Sequence, residues 1–314
     1  MFTRPRGFAL GIALFGVVSM LLPGVAASAA KGTATAFPVK VHGANGTVTV
    51  ATRPTAIVSL SPTATEMLYS IGAGSQVKAV DEYSDYPAGT PRTNLDGDDP
   101  NVEAIASYKP DLVVLSQEAP GLNQQLVALG IPVLYDPAAD NLAQEYAQFE
   151  ELGKATGHAA QAGAEVASIK SQIAKIVASV HKPAHPESYY YELDQTYYSE
   201  TSSTFIGQVL GLLGLHSIAD AAKGAAASGG YPQLSGEYIL KADPDYILLA
   251  DTICCAQSAA TVAARPGWSN LAAVKDGRVL GLNDDIASRW GPRIVILLRE
   301  VAAEMKQHPV SGQS

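Results

Sequence analysis

The segment Glu103-Ala-Ile-Ala-Ser-Tyr-Lys-Pro110-Asp111-Leu-Val-Val-Leu115 returns without gaps as Glu237-Tyr-Ile-Leu-Lys-Ala-Asp-Pro244-Asp245-Tyr-Ile-Leu-Leu249. Each copy runs a helical stretch carrying Glu and Ile into a Pro-Asp turn and then a short apolar run. That is the pattern of one helix-turn-strand unit used twice. Pro-Asp before a strand is common turn chemistry, but the matched Glu, Ile and apolar positions tie the two copies together. A chain duplicated in this way is constrained to two lobes on one template, facing each other across a cleft.

Short β-branched runs and helical stretches alternate around each copy. Ile57 to Leu60, Val77 to Val80, Leu112 to Leu115 and Val133 to Tyr135 read as buried strands, separated by stretches such as Glu66 to Ile71 and Leu122 to Leu129. Strands interleaved with helices predict parallel sheets covered on both faces. Leu142 to Ala155 follows, with a break at Gly157. Ala159 to Val180 then carries apolar residues at Val166, Ile169, Ile173, Ile176, Val177 and Val180, the spacing of a one-sided helix. At 1.5 Å per residue, about 23 residues extend roughly 35 Å, enough to brace two lobes.

The stretch His181 to Pro186, with two prolines, ends that helix. A second α/β series follows in Tyr189 to Leu193, Phe205 to Leu213, Tyr246 to Leu249 and Val279 to Leu282. The expected division is a signal segment over 1–30 and a hairpin extension over 31–53, turning at Ala44-Asn45-Gly46. A first α/β lobe over 54–157, a bridging helix over 158–182 and a second α/β lobe over 186–314 complete it.

The chain's 314 residues suffice for two cores, with 47% apolar and 16% charged residues. A net charge of -9 disfavours nucleic acid and anionic membrane as partners. Arg4 and Arg6, the apolar run Phe8 to Leu22 and Ala27-Ser28-Ala29 read as a secretory leader with a cleavage site, or else as a membrane anchor if uncut. No cysteine stands directly after the apolar run, so a lipid anchor is not expected. The two cysteines, Cys254 and Cys255, are adjacent. They cannot staple distant segments, and are either a vicinal disulfide or two small half-buried thiols.

Enzyme signatures are not found: no G-x-S-x-G elbow, phosphate loop, H-E-x-x-H or dinucleotide fingerprint is present. The histidines at 42, 158, 181, 185, 216 and 308 are scattered. The expectation is a binding protein without catalytic residues, cofactor or metal site. Thr63 and Glu66 have capping-box spacing at the strand-to-helix junction Ser59-Leu-Ser-Pro-Thr-Ala-Thr-Glu66. Tyr83, Tyr86, Tyr197, Tyr198 and Tyr231 fall in loops after strands or before helices, where parallel sheets present ligands. A flat apolar face with a hydroxyl suits a large amphipathic ligand, and ordinary packing near the surface is the alternative at each position.

From Arg53 to about Lys306 the chain resembles the periplasmic binding proteins for cobalamin, ferric siderophores and heme, whose lobes are joined by a rigid helix. The resemblance lies in Ile57-Val-Ser-Leu-Ser-Pro-Thr-Ala-Thr-Glu66, Tyr83-Ser-Asp-Tyr-Pro87, Leu234-Ser-Gly-Glu-Tyr-Ile-Leu240 and Arg289-Trp-Gly-Pro-Arg293. It is greatest to the cobalamin-binding members. It implies two Rossmann-like lobes joined by one long helix, acting as a monomer with an ABC permease and ATPase. A ligand site at Pro62, Tyr83, Tyr86, Tyr197, Tyr231, Asp285 and Arg289 is implied, with exposed docking glutamates at Glu66 and Glu237. The tryptophans of the corrin site are replaced around Asp96 to Asp98, near Ser116-Gln117 and at Tyr231. A ferric chelate gripped by Arg289 and Arg293 therefore stands as the alternative ligand, and a structural ion pair as the alternative role of Arg293.

Overall fold

The computed structural model describes residues 36–181 and 185–310, so the leader expected over 1–30 lies outside the described residues. The described residues open on a hairpin of β1 (Val39–Gly43) and β2 (Gly46–Val50), paired along their full length. Ala44-Asn45 makes the turn and Gly46 leaves it at φ 97°, a conformation open to glycine at little cost.

The first sheet contains β3 (Ile57–Leu60), β4 (Val77–Asp81), β5 (Arg92–Leu95), β6 (Leu112–Leu115) and β7 (Val133–Tyr135). Its order is β5-β4-β3-β6-β7, with every pairing parallel. Side chains alternate between two buried faces, as the strand period of two requires. Ile57, Leu112 and Val114 join one apolar cluster, while Val58, Leu60, Val113 and Leu115 join another. Helices α1 (Pro62–Ser70), α2 (Val102–Ser107), α3 (Leu122–Ala128) and α4 (Leu142–Thr156) accompany this sheet.

Helix α5 (Ala159–Ala178) is 20 residues, about 30 Å long. Ala162, Val166, Ile169, Ile173 and Ile176 are its buried face; the last four belong to the stripe read from the sequence, whose Val177 and Val180 are only partly buried.

The second sheet has the order β11-β10-β8-β9, again parallel. Its strands are β8 (Glu187–Glu192), β9 (Leu215–Ser217), β10 (Tyr246–Leu249) and β11 (Val279–Gly281), with α6 (Phe205–Gly211), α7 (Gly236–Ala242), α8 (Ala259–Ala263), α9 (Ala272–Lys275), α10 (Asp284–Ser288) and α11 (Ile294–Gln307) around them. Tyr189, Tyr190 and Tyr191 are all buried, on alternate faces of β8. Helix α5 packs against both α4 and α11. One apolar cluster runs from the first sheet through α5 and α11 to the second. Each large aliphatic side chain in it contributes roughly 1.5–3 kcal/mol by burial, so the two lobes rest on a shared floor.

The repeat is visible atom by atom. Asn101 and Ser235 cap α2 and α7, accepting the backbone N–H of Ala104 and Tyr238. Lys109 and Asp243, at matched positions, both turn the chain with positive φ, 51° and 44°. The Asp111 carboxylate then accepts the N–H of Thr55 and of Ala56 before β3, while that of Asp245 accepts the N–H and hydroxyl of Ser188 in β8. A Pro-Asp turn thus fastens one strand to the start of its neighbour in each lobe.

Candidate functional site

In the first sheet the chain runs outward from β3 to β4 and β5, then returns to place β6 and β7 on the other side. The carboxyl ends of β3 and β6 therefore border a topological switch point, where open α/β sheets take ligands. A cavity of about 290 Å³ lies there. Leu60 to Thr63, Asp81, Tyr83, Asp98 and Gln117 line it from the first lobe, and Asp285, Ser288, Arg289 and Trp290 from the second. A larger groove of about 600 Å³ lies beside Thr47, Pro110, Asp111, Ile131 and Val133. It borders the amino ends of β6 and β7, the wrong end for a switch-point site.

Local sequence chemistry builds the cavity wall. Ser61 is extended (φ -155°, ψ 116°), its hydroxyl accepts the Ala64 N–H at 3.2 Å, and Pro62 occupies the first helical position. Ser61, not Thr63, is the cap of α1, and the capping box expected between Thr63 and Glu66 is replaced by this arrangement. Gly97 allows its loop to close on β3, because a Cβ there would stand 3.2 Å from the Leu60 carbonyl oxygen. Asp81 ends β4 and is 1% exposed. Burial pushes its carboxyl up, and bonds from the Ser84 hydroxyl and the Tyr83 N–H work against that shift.

Glu66 departs from expectation. Its docking role called for an exposed carboxylate, but it is 2% exposed and sits under two arginines. Arg289 Nη1 donates to Oε1 at 2.9 Å, and Arg293 donates through Nε to Oε2 at 2.8 Å and through Nη2 to Oε1 at 2.6 Å. Arg289 also donates to Asp285 at 2.6 Å and to the Tyr83 carbonyl at 3.1 Å, and approaches Asp85 at 3.5 Å. The Tyr86 ring lies 4.4 Å from the Arg293 guanidinium, within cation–π range. Trp290 adds another crossing, donating its indole N–H to Gln148 of α4 at 2.9 Å.

Pro62, Tyr83, Asp285 and Arg289 are thus brought together in the cavity wall. Tyr86 stands beside them, 45% exposed, against Arg293. Tyr197 is not in that wall: its ring stacks on Trp268 at 5.7 Å with Arg265 at 5.5 Å, so core packing occupies the face expected to meet a ligand. Tyr231 is 46% exposed but also outside the wall. Glu237 is exposed in the first turn of α7.

Sequence reasoning missed Asp81 and Trp290, and marked Asp98 and Gln117 only as places where tryptophans of the corrin site are replaced. An aspartate closing an apolar strand run was the available signal for Asp81. For Trp290, adjacency to Arg289 was the only cue.

A model of the periplasmic binding protein family matches residues 57–286. The chain is 32% identical over 285 residues to an ABC transporter substrate-binding lipoprotein of Bacillus subtilis, covering 88% of each. It is 31% identical over 273 residues to the cobalamin-binding protein of Halobacterium salinarum, covering 83% of this chain and 72% of that one. Among solved structures, the periplasmic vitamin B12-binding protein of Vibrio cholerae superposes with a TM-score of 0.68 at 25% identity, covering 82% of this chain and 98% of that one.

Proposed function

The chain belongs to the periplasmic binding protein family, as a substrate-binding component of an ABC importer, and we propose that its cargo is a cobalamin-type corrinoid delivered to the membrane permease. The observation that carries the choice of cargo is the charge of the cavity. Asp81, Asp98 and Asp285 line it, while its arginine, Arg289, is already engaged by Glu66, Asp285 and the Tyr83 carbonyl. A polyanionic ferric chelate would meet carboxylates with no free guanidinium to offset them. A corrinoid instead presents a ring of amide N–H donors about a cationic cobalt centre. Carboxylates, hydroxyls and the Gln117 amide can accept those donors, and Tyr83 and Trp290 offer apolar faces.

The cavity volume falls at the lower end for small-molecule sites and is smaller than a corrinoid. Loading therefore requires the arginine clasp on Glu66 to loosen and the lobes to part. Exposed Glu237 is assigned to the permease surface, where one exposed ion pair, worth about 0–1 kcal/mol, orients without trapping. Glu66 becomes available to the permease only when the clasp is open. The protein acts as a monomer outside the inner membrane, exported by the leader at its amino terminus.

Calorimetric titration with cyanocobalamin, and in parallel with a ferric catecholate and with heme, tests the cargo. Saturable binding of cyanocobalamin alone is expected; saturable binding of either iron compound without cyanocobalamin overturns the assignment.

A further inference from the structure

We propose that Cys254 and Cys255, in the turn after β10, form a two-electron redox site that interconverts between a dithiol and a vicinal disulfide. They are the cysteines of the chain, adjacent in sequence, so any intramolecular bond between them closes a ring over a single peptide unit. Cys254 is exposed and Cys255 half-buried, and both are thiols here. A small oxidant or reductant can reach them from solvent.

The turn holds the pair in place from both sides. The Asp284 carboxylate accepts the N–H of Ile253 at 3.0 Å and of Cys254 at 2.7 Å, and the Thr252 hydroxyl donates to the Leu282 carbonyl at 2.5 Å. The Asp251 carbonyl accepts the N–H of Cys255 and of Gln257, both at 3.3 Å. Ala256, between these last two, bends the chain at φ 53°. The two cysteines therefore lie between two fixed anchors.

The Cys254 thiol is pushed up to about 12 by desolvation first, then by its neighbours Cys255 and Asp284, so the thiolate that exchange requires is scarce and the reaction is slow. A disulfide carries no charge beside Asp284 and so escapes that opposition. Its own strain limits its permanence: adjacent Cα atoms stand about 3.8 Å apart, short of the usual ~4.4–6.8 Å of a disulfide. A strained, exposed disulfide is readily reduced, which makes the site reversible.

The oxidant is a low-molecular-weight disulfide. One cysteine thiolate attacks a sulfur of that disulfide, breaking its S–S bond, forming a mixed disulfide and releasing the first small thiolate. The second cysteine thiolate then attacks its neighbour's sulfur, forming the vicinal bond and releasing the second small thiolate. Two electrons pass to the small disulfide, and the two protons lost by the cysteines end on the two released thiols.

The test uses the full chain equilibrated with glutathione buffers of graded oxidised-to-reduced ratio, quenched in acid, alkylated with N-ethylmaleimide and digested with trypsin. Cys254 and Cys255 fall together in the peptide from Ala242 to Lys275, because the Arg265-Pro266 bond resists trypsin. As the buffer becomes oxidising, that peptide is expected to pass from doubly alkylated to unalkylated with the loss of two hydrogens, and to return on reduction. Cys254→Ser and Cys255→Ser should each instead retain one glutathione. A wild-type peptide that stays doubly alkylated in the most oxidising buffer, that ends as a stable glutathione adduct, or that appears only in cross-linked dimers overturns the proposal. None of these outcomes depends on the cargo.

Discussion

Arg293, from the segment leading into α11, grips Glu66 of α1 through two N–H groups, at 2.8 and 2.6 Å, while Arg289 takes the same carboxylate at 2.9 Å. Both guanidiniums are only 11–12% exposed, and the glutamate side chain 1%. Removing one partner of a buried pair typically costs about 3–5 kcal/mol, because the other charge is left without compensation. Glu66→Gln should lower the urea midpoint accordingly. It should also speed cyanocobalamin association in stopped-flow mixing, since the clasp must part for entry. A variant with unchanged stability and an unchanged association rate would remove the clasp from the loading step.

Trp290 is the aromatic residue that the second lobe contributes to the cavity wall, and its indole N–H is fixed by Gln148. Stacking by such a ring is worth about 0.5–1.5 kcal/mol beyond burial. Trp290→Ala should weaken cyanocobalamin at least about tenfold, or about 1.4 kcal/mol, in calorimetric titration. Trp290→Phe should lose less, because it keeps a ring and gives up only the bond to Gln148. Equal losses in both variants would mean that the indole acts through that bond and not by contact.

The two-lobe plan was legible because it rests on local chemistry. The Pro-Asp turns and the stripe along α5 are short-range features, reported directly by turn residues and by periodicity. Strands β5 (Arg-Thr-Asn-Leu) and β9 (Leu-His-Ser) carry little apolar signal and went unread. The segment Phe205 to Leu213 was placed in the α/β series without a type, and forms α6. The site was only half legible for a different reason. Glu66 and Arg293 are separated by more than two hundred positions, and nothing local to α1 announces that the glutamate is covered. Tyr197 looked available because it sits in a loop, yet Trp268 and Arg265 close over it from far along the chain.

Asp111 and Asp245 are equivalent in the repeat and should be equivalent in energy. Asp111 accepts from the Thr55 N–H, the Thr55 hydroxyl and the Ala56 N–H at 2.8–3.0 Å, and Asp245 from the Ser188 N–H and hydroxyl at 2.8 and 2.9 Å. Hydrogen bonds to a charged acceptor contribute about 1.5–3 kcal/mol. Asp111→Ala and Asp245→Ala should each lose about 2–3 kcal/mol in urea unfolding with cyanocobalamin affinity unchanged, because both lie before their strands, at the end of the sheet opposite the cavity. A loss of affinity without a loss of stability would contradict that placement.

Glu145 gives the fold a pH dependence opposite in sign to that of a salt-bridged carboxylate. It lies in the first turn of α4, fully buried, and neither carboxylate oxygen has a hydrogen-bond partner. Burial alone pushes its carboxyl up to about 8, despite the favourable field of a helix amino terminus. Asp136 and Glu200 are likewise pushed up to about 7, by burial first. A carboxyl whose folded value is raised binds its proton more tightly in the native state, so stability declines as pH rises from about 4.5 toward 8. For Glu145 alone the decline is on the order of 4 kcal/mol. Urea midpoints should therefore fall between pH 5.5 and 8, and Glu145→Gln, which keeps the shape but cannot ionise, should flatten the profile and stabilise the protein at pH 8. A glutamine variant with the slope of the wild type would show that this carboxyl finds a cation in solution.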